Sequence, residues 1–296
     1  MNSENQQLPG ARLSKAAALR AQLTGPRPVR AVGAHDGLTA KLVQQAGFDA
    51  VWSSSFEISA SHGLPDASLI TMSQYLAASE VMDLCVDIPV IADCDTGFGG
   101  PLNAAYTVQR YERAGIAAVC IEDKLFPKIN SFADASQDLL PTEEFALKIK
   151  AAKEAQRDPD FLLIARTESF IAGLDLSEAL DRGHAYVEAG ADALLVHSKS
   201  KRPDEVLEFA ARWDSDVPLV AVPTTYNAVT ESTLHEAGFR VVIYANHGLR
   251  AAVRGVQETL SALLKAGRAA AVQERIAPMH EVFALQGMPA QYRESR

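Results

Sequence analysis

One phrase recurs four times along the chain: Ala-Gly followed by an apolar run that ends in polar residues. It reads AGFDAVWSSS from Ala46, AGIAAVCIEDK from Ala114, AGADALLVHSK from Ala189 and AGFRVVIYANH from Ala237. The glycine is typical of the residue that follows a helix, and the apolar run predicts a strand buried on both faces. Each copy therefore predicts a helix end, a tight turn and a strand.

Four further apolar runs with polar ends alternate with these copies: PVRAVGAHDG, IPVIADCDTG, DFLLIARTES and VPLVAVPTT. The intervening stretches carry helical spacing; for example, Ala105, Val108 and Tyr111 fall on one stripe of residues 102–113. Eight buried strands alternating with helices over roughly 220 residues predict an α/β fold, a (β/α)₈ TIM-type barrel. An open doubly wound sheet is the alternative, and the absence of G-x-G-x-x-G after the first strand weakens it.

Helical patterns extend beyond both ends of the predicted barrel. Residues 14–23 predict an added N-terminal helix, GLRAAVRGVQETLSALLKA from Gly248 predicts a long amphipathic helix, and residues 272–285 continue the apolar spacing. We expect one domain over residues 1–296, with a barrel core at about 28–248 and a C-terminal helical extension at about 249–296. This surplus extension is expected to pack against a partner subunit or to be swapped with it.

The charge balance narrows the classes of ligand. The chain has 28 Lys and Arg against 37 Asp and Glu, a formal net charge of −9, and no basic run. Nucleic acids and anionic membranes need clustered Lys and Arg, so we expect neither as a partner and favour small molecules. No apolar stretch approaches the ~18 residues of a membrane span and no signal-peptide pattern opens the chain, which predicts a cytoplasmic protein.

The three cysteines are not spaced as metal ligands. Cys85, Cys94 and Cys120 form no Cys-x-x-Cys pair and lie in or beside apolar runs. They predict reduced, buried thiols.

In a barrel of this kind the active site is built from the C-terminal ends of the strands and the loops that follow them. These ends carry a dense polar ring: His35 and Asp36; Ser53, Ser54 and Ser55; Asp93 and Asp95; Glu122, Asp123 and Lys124; Arg166, Thr167 and Glu168; His197, Ser198 and Lys199; Thr224 and Thr225; Asn246 and His247.

Carboxylates are the strongest feature of the ring. Asp93 and Asp95 are two residues apart on one predicted strand, so both should point to the same face, and Glu122 ends the next strand. Converging carboxylates repel one another unless neutralised, and oxygen-only ligands predict Mg²⁺ or Mn²⁺. The alternative is that they cap helices or pair with Lys124 or Lys128.

Two acidic residues near this group have simpler explanations. For Asp123 we favour the structural role, a helix cap or an ion pair. Asp66 lies in the turn GLPDAS, where on spacing alone it is as well explained as a turn former.

Cationic residues form the second feature. Arg166 ends the apolar run FLLIAR, and a charge there is costly unless it meets an anion. That anion is either a ligand or a carboxylate of the same site, such as Glu168. With His197 at the next strand end, Arg166 is placed to hold a phosphate or carboxylate by charge-assisted hydrogen bonds.

Two loops complete the expected site. EDKLFPKINSFADASQDLLP, residues 122–141 and here called the lid segment, is long for a loop between strand and helix and is typical of an active-site lid. It carries Lys128, Asn130 and Ser131. Ser54, Ser55 and Phe56 follow the second strand at a tight turn suited to receive a carboxylate, although serines there are also typical of a solvated turn.

Seven segments, in order from about residue 30 to residue 255, resemble signature segments of the phosphoenolpyruvate mutase and phosphonopyruvate hydrolase branch of the isocitrate lyase superfamily. They are GAHDGLTAKLVQQAGFDAVW, FEISASHGLPDAS, IADCDTGFG, AGIAAVCIEDKLFPKINSF, IARTESFIAG, AGADALLVHSK and ANHGLRAA. The carbon–carbon lyases of the superfamily carry a lid cysteine in K-[KR]-C-G-H. Here Lys128 is followed by Ile129, Asn130 and Ser131.

The resemblance implies a Mg²⁺-dependent phosphoenolpyruvate mutase, with Mn²⁺ as an alternative metal, that interconverts phosphoenolpyruvate and phosphonopyruvate through an enolate and a metaphosphate-like species. It also implies a homotetramer, a dimer of dimers.

By position the resemblance implies these roles: Asp93 as metal ligand with Asp66, Asp95 and Glu122 around it; Ser54, Ser55 and Phe56 on the pyruvyl carboxylate; Arg166, His197 and Asn130 on the phosphoryl group; Lys128 and Ser131 closing with the lid; and Asp66, Lys128, Asn130, Arg166 and His197 as the catalytic set.

Other reactions remain open on the same site. If water reached the phosphoryl group, the protein would be a phosphonopyruvate hydrolase. The resemblance implies threonine at the position of Asn130 in that branch, so Asn130 favours the mutase. A carbon–carbon lyase of 2-hydroxy acids and a non-catalytic metabolite-binding barrel are less favoured. The chain departs from the family pattern at Ser55, where glycine is usual, and at ADASQDLLP, where a Gly-Arg-Gln-like run is usual. A β-carbon at residue 55 is expected to narrow the carboxylate pocket.

Overall fold

The computed structural model describes residues 13–292, and eight parallel strands in it form a closed barrel. The strands are β1 (Val29–Ala34), β2 (Ala50–Ser53), β3 (Val90–Asp93), β4 (Ala118–Glu122), β5 (Leu162–Thr167), β6 (Ala193–Val196), β7 (Leu219–Ala221) and β8 (Phe239–Tyr244). Neighbours in sequence pair in parallel, with one register shift in β7 between Leu219 and Val220, and β8 closes the barrel on β1 through pairs such as Val29 with Val241. The predicted (β/α)₈ barrel is confirmed.

Helices follow the strands and surround the barrel. They are α1 (Lys15–Gln22), α2 (Gly37–Gln45), α3 (Ser55–Ser61), α4 (Met72–Cys85), α5 (Pro101–Arg113), α6 (Thr142–Ala155), α7 (Leu176–Glu188), α8 (Asp204–Arg212), α9 (Glu231–Glu236), α10 (His247–Ala266) and α11 (Met279–Leu285). Short 3₁₀ turns lie at Ala269–Ala271, Gln273–Arg275 and Ala290–Tyr292. The second strand is followed by two helices, α3 and α4, and the short α3 carries the turn that predicted a carboxylate site.

The recurring Ala-Gly phrase has one backbone cause. Gly47, Gly115, Gly190 and Gly238 have φ angles of +84°, +87°, +109° and +104°. Each follows the alanine that caps the C-terminus of a helix, and only glycine adopts this left-handed backbone without a steric penalty. The phrase therefore ends the helix and turns the chain into the next strand.

Two apolar layers result from this alternation. The barrel interior is filled by strand residues such as Trp52, Ile91 and Leu195, and Leu19 of α1 packs on the same cluster. A larger cluster fills the space between the strands and the outer helices. The interior is thus a packed core, which leaves the carboxyl ends of the strands as the place for a site.

The C-terminal extension contains two helices. Helix α10 runs as expected, and within residues 272–285 a 3₁₀ turn at Gln273–Arg275 is followed by Pro278 and then by α11. No residue of α10 is buried, and Val256, Leu260 and Leu264 are exposed on it. The association of this extension with a partner subunit stays a prediction, and residues 1–12 and 293–296 of the expected domain lie outside the described residues.

The cysteines are unpaired thiols. Cys94 and Cys120 are buried as expected, whereas Cys85 at the end of α4 is partly exposed. Of the helices between residues 13 and 292, none is long and apolar enough to cross a bilayer.

Close packing at β1 gives the first prediction. A β-carbon at Gly33 would collide with the carbonyl oxygen of Ala245 and the carboxylate of Glu57. We expect Gly33→Ala to lower the free energy of unfolding by about 1–3 kcal/mol or more, since a backbone carbonyl cannot turn away. Gly255→Ala in the open middle of α10 is the matched control and should be neutral or stabilising by up to ~1 kcal/mol. Urea unfolding followed by circular dichroism compares them; equal stability of the two variants would contradict this packing.

Candidate active site

A cavity of about 200 Å³ opens at the carboxyl end of the barrel. Nine of the predicted site residues line it: Ser54, Phe56, Asp66, Asp93, Lys128, Asn130, Ser131, Arg166 and His197. Three predicted residues do not: Ser55, Asp95 and Glu122 are almost fully buried behind the cavity wall. The structure therefore brings the lid segment, the turn at Asp66 and the ends of β2, β3, β5 and β6 to one cavity.

The two aspartates after β3 converge for a different reason from the one predicted. Strand β3 ends at Asp93, so Asp95 does not continue its two-residue alternation. Asp95 has a φ of +48°, and the turn brings its backbone N–H to within 3.2 Å of Asp93 Oδ1. Glu122 of β4 donates its backbone N–H to the carbonyl of Asp95 at 2.8 Å. A left-handed turn, rather than strand alternation, thus joins the three acidic residues.

The ammonium group of Lys128 lies between two of the predicted metal-site carboxylates. Its Nζ is 3.0 Å from both oxygens of Asp66 and 3.0 Å from Asp95 Oδ1. Burial raises the pKa of Asp95 to about 6 although Lys128 opposes the shift. Burial also disfavours the charged lysine, but the surrounding carboxylates outweigh it and hold the pKa of Lys128 well above its usual value.

The negative charge of Glu122 is less completely compensated by neighbouring cations than that of Asp95. Its Oε2 is 3.3 Å from Arg166 Nε, while Oε1 is buried without a hydrogen-bond donor in the described part of the chain. Burial raises the pKa of Glu122 to about 7 against the opposing effect of Arg166. A buried carboxylate oxygen with no donor has capacity for a further positive group.

This donor set fits a hard divalent cation. Asp93 and Asp66 present carboxylates to the cavity, Glu122 has an unsatisfied oxygen behind it, and all the ligands would be oxygens. As they stand, no three His, Cys, Asp or Glu side chains within residues 13–292 form a group able to hold a metal ion. The metal roles of Asp66, Asp93, Asp95 and Glu122 stay a prediction.

Glu168 joins the cationic residues of the site. Its Oε1 is 2.5 Å from Arg166 Nε and 2.7 Å from His197 Nδ1, and its Oε2 is 3.3 Å from Lys124 Nζ. Ser131 of the lid donates its hydroxyl to Glu168 Oε2 at 2.5 Å. Arg166 therefore has an internal carboxylate partner and still lines the cavity, so both explanations of its charge hold together.

His197 is held neutral by its surroundings. Burial, followed by the charge of Arg166, lowers its pKa from 6.5, and Glu168 opposes this. Nδ1 lies 2.7 Å from both Arg166 Nη2 and Glu168 Oε1, so it accepts from the guanidinium in one tautomer and donates to the carboxylate in the other. In either tautomer, the neutral imidazole of His197 lies beside the cavity at neutral pH.

Hydrogen bonds fasten the lid segment over the cavity. Asn130 Nδ2 donates to Asp66 Oδ2 at 2.7 Å, and the backbone N–H of Lys128 donates to Ser68 Oγ at 3.1 Å. The ring of Phe132 meets that of His197 edge-on at 5.6 Å between centroids. Lys124 does not line the cavity; its Nζ holds the lid through Ser131 Oγ at 2.8 Å. The lid is thus closed onto both the acidic and the cationic halves of the site.

The turn after β2 separates its three predicted residues. Ser54 Oγ accepts the backbone N–H of Glu57 and caps α3. Ser55 Oγ instead donates to Asp93 Oδ2 at 2.8 Å. As the first residues of a helix, Ser55 and Phe56 have backbone N–H groups with no acceptor in their own helix, which suits an anion.

Asp123 has the structural role favoured for it. It is fully buried, and its Oδ2 accepts from Tyr186 at 2.7 Å and from Arg182 at 3.3 Å. Its Oδ1 accepts the backbone N–H of Glu168 at 2.8 Å. The pair of acidic residues at the end of β4 therefore divides into one that faces the site and one that fixes the neighbouring strand.

Comparison with known proteins places this cavity in a family. The family model for phosphoenolpyruvate phosphomutase matches residues 19–264. A phosphonopyruvate hydrolase from Variovorax sp. (strain Pal2) is 47% identical over 279 residues, 93% of this chain and 96% of that protein. The chain belongs to the phosphoenolpyruvate phosphomutase family.

Solved structures of the family share the fold over nearly the whole length. A phosphoenolpyruvate phosphomutase from Streptomyces platensis subsp. rosaceus superposes with a TM-score of 0.91 at 54% identity, covering 92% of this chain and 95% of that one. A phosphonopyruvate hydrolase in complex with oxalate and Mg²⁺ gives 0.88 at 46% identity, covering 93% and 95%. The protein is therefore an enzyme of the phosphomutase and phosphonopyruvate hydrolase group, within the isocitrate lyase superfamily.

Sequence reasoning missed part of the wall of this phosphomutase-family cavity. Trp52, Val222 and Ala245 line it without having been assigned a role, and Thr224 and Asn246 were identified only as members of the polar ring. Trp52 was not identified as a cavity residue because its position in the apolar run of β2 is typical of a core residue, and it does pack on the barrel interior. Its position two residues before Ser54 was the available signal.

The contacts of Glu168 give the second prediction. Because Glu168 raises the pKa of His197, we expect Glu168→Gln to lower that pKa further below 6.5. Glu57→Gln is the matched control: Glu57 hydrogen-bonds His35 and raises the pKa of His35, so this variant should lower that pKa and leave His197 unchanged. NMR titration of labelled histidines measures both. An unchanged His197 in Glu168→Gln would contradict the network.

Proposed function

We propose that the protein is a Mg²⁺-dependent phosphoenolpyruvate phosphomutase that interconverts phosphoenolpyruvate and phosphonopyruvate, with Mn²⁺ as an alternative metal. The observation that carries the proposal is the placement of Asn130: it lines the cavity and is tied to Asp66 at 2.7 Å, so the lid closes with an amide over the reacting group. The sequence resemblance implies threonine at this position in the hydrolase branch, so Asn130 favours the mutase. The 54% identity to the Streptomyces platensis phosphomutase supports the same reaction.

The geometry suits a substrate with two anionic ends. Arg166 and His197 lie on one side of the cavity as donors for a phosphoryl group. The first turn of α3, with Ser55 and Phe56 as its first residues, would receive the pyruvyl carboxylate, and Phe56 lies at the cavity wall. A cavity of about 200 Å³ suits a molecule of this size. The substrate class is thus a phosphonate or phosphate ester of pyruvate.

The reaction moves one phosphoryl group between two atoms of the same molecule. From phosphonopyruvate, the C–P bond breaks and the enolate oxygen forms the new O–P bond, so no water and no proton are consumed. The loose transition state carries charge on the peripheral phosphoryl oxygens, which Arg166 and His197 stabilise. A bound divalent cation, held by Asp93 with Asp66, Asp95 and Glu122 around it, would supply positive charge to the pyruvyl oxygens.

The main work of the lid is to exclude water. Lys128, Asn130 and Phe132 are fastened over the cavity by contacts to Asp66 and His197. The transferring phosphoryl group is then offered the enolate oxygen as its acceptor.

Hydrolysis is the second candidate, favoured by the 47% identity to the Variovorax hydrolase. In that reaction water supplies the oxygen that attacks phosphorus, the C–P bond breaks, and the methyl carbon of pyruvate takes a proton. The same cations would stabilise that transition state, so only access of water separates the two reactions.

Product analysis decides between them and gives the third prediction. Incubation with phosphonopyruvate and Mg²⁺, followed by phosphorus NMR, should yield phosphoenolpyruvate as the product. Inorganic phosphate with an equal amount of pyruvate would establish the hydrolase instead. Unchanged phosphonopyruvate would reject both.

The lid contacts give the fourth prediction. Asn130→Ala removes the hydrogen bond to Asp66 and the acceptor for the backbone N–H of Phe132. We expect kcat to fall about 10²-fold or more, because misplaced lid groups disturb the reacting geometry, with little change in the melting temperature. Ser136→Ala, which removes an exposed lid hydrogen bond to Asp138, is the matched control and should keep the wild-type rate. An unaltered rate in Asn130→Ala would remove this residue from the site.

A further inference from the structure

The side chain of Ser55 makes a contact that glycine, the residue that the sequence resemblance implies at this position, cannot make. Ser55 is the first residue of α3 and is fully buried. Its hydroxyl donates a 2.8 Å hydrogen bond to Asp93 Oδ2. The residue on either side of it, Ser54 and Phe56, lines the cavity, whereas Ser55 does not. Its β-carbon therefore lies behind the turn and does not narrow the carboxylate pocket, contrary to the expectation from sequence.

The hydroxyl completes a two-sided support of the Asp93 carboxylate. Oδ1 accepts the backbone N–H of Asp95 at 3.2 Å, and Oδ2 accepts the hydroxyl of Ser55. Two donors on opposite oxygens fix the rotation of the side chain. Each carboxylate oxygen has a second lone pair, and Asp93 still faces the cavity, so the support leaves room for a cation.

We propose that Ser55 is a positioning residue that orients Asp93 and thereby strengthens divalent-cation binding in this chain. Ligating carboxylates are commonly held by hydrogen bonds from a surrounding shell, and loss of such a bond typically weakens metal affinity 10–100-fold. A glycine at this position would lack one of the two supports. The proposal rests on the proposed function only for the presence of a cation at Asp93.

The test measures cation affinity without substrate and without turnover. Mg²⁺ is titrated into the apo-enzyme by isothermal titration calorimetry, and Mn²⁺ is followed by electron paramagnetic resonance. We expect Ser55→Ala to raise the dissociation constant about tenfold, because the hydroxyl is lost while the β-carbon stays. Ser55→Gly should weaken binding to a similar extent, and it provides a second variant with the residue usual in the family should Ser55→Ala fold poorly.

Two controls separate orientation from general packing. Ser53→Ala removes a neighbouring buried hydroxyl that contacts Ser79 at 2.8 Å and not Asp93, so it should keep the wild-type dissociation constant. Asp93→Ala should abolish binding at the site. Melting temperatures in EDTA check that all variants are folded, since a purely structural role would lower these and leave cation affinity unchanged.

The outcomes also separate this proposal from the proposed reaction. Wild-type cation affinity in both folded Ser55 variants, or no cation binding by the wild type, would overturn the positioning role. Weaker cation binding in the variants supports it even if phosphonopyruvate is hydrolysed or left unchanged. Formation of phosphoenolpyruvate with unaltered cation affinity in the variants would support the reaction and reject the role of Ser55.

Discussion

The site depends on positive side chains that compensate the negative charge of the carboxylates buried at the carboxyl end of the barrel. Asp95 and Glu122 are almost completely withdrawn from water, and burial raises the pKa of each. Their charge is met from two directions, by Lys128 of the lid and by Arg166 at the end of β5. Neither cation alone reaches every acidic oxygen, so the arrangement requires both halves of the site to be assembled together.

The position of the lid and the charge compensation of the site consequently depend on each other. Lys128 and Ser131 lie three residues apart on the lid, yet the first contacts Asp66 and the second contacts Glu168, which holds Arg166 and His197. Opening the lid would expose the acidic residues and release the support of the cationic ones at the same time. A lid held at two points by hydrogen bonds to carboxylates is positioned more precisely than one held by apolar contact alone.

The barrel was predictable because its signals are local, whereas the site was only partly so. The left-handed glycines such as Gly47 repeat beside every second strand, and strand ends then assigned Arg166 and His197 to one face. Asp66 was not predictable from spacing, because a Pro-Asp turn looks the same whether or not a lysine 62 residues later reaches it; only the family resemblance placed it in the site. The convergence of Asp93 and Asp95 was predicted for the wrong reason, since a positive φ cannot be read from strand alternation.

The structure changes the interpretation of Ser55 that the sequence alone suggests. In sequence it lies between two cavity residues, which suggests steric narrowing of the pocket. In the structure Ser55 is fully buried and its hydroxyl reaches Asp93, whereas Ser54 and Phe56 on either side of it line the cavity. The first turn of α3 can thus support the predicted metal ligand through Ser55 and meet an anion in the cavity through Phe56, because successive residues of a helix point in different directions.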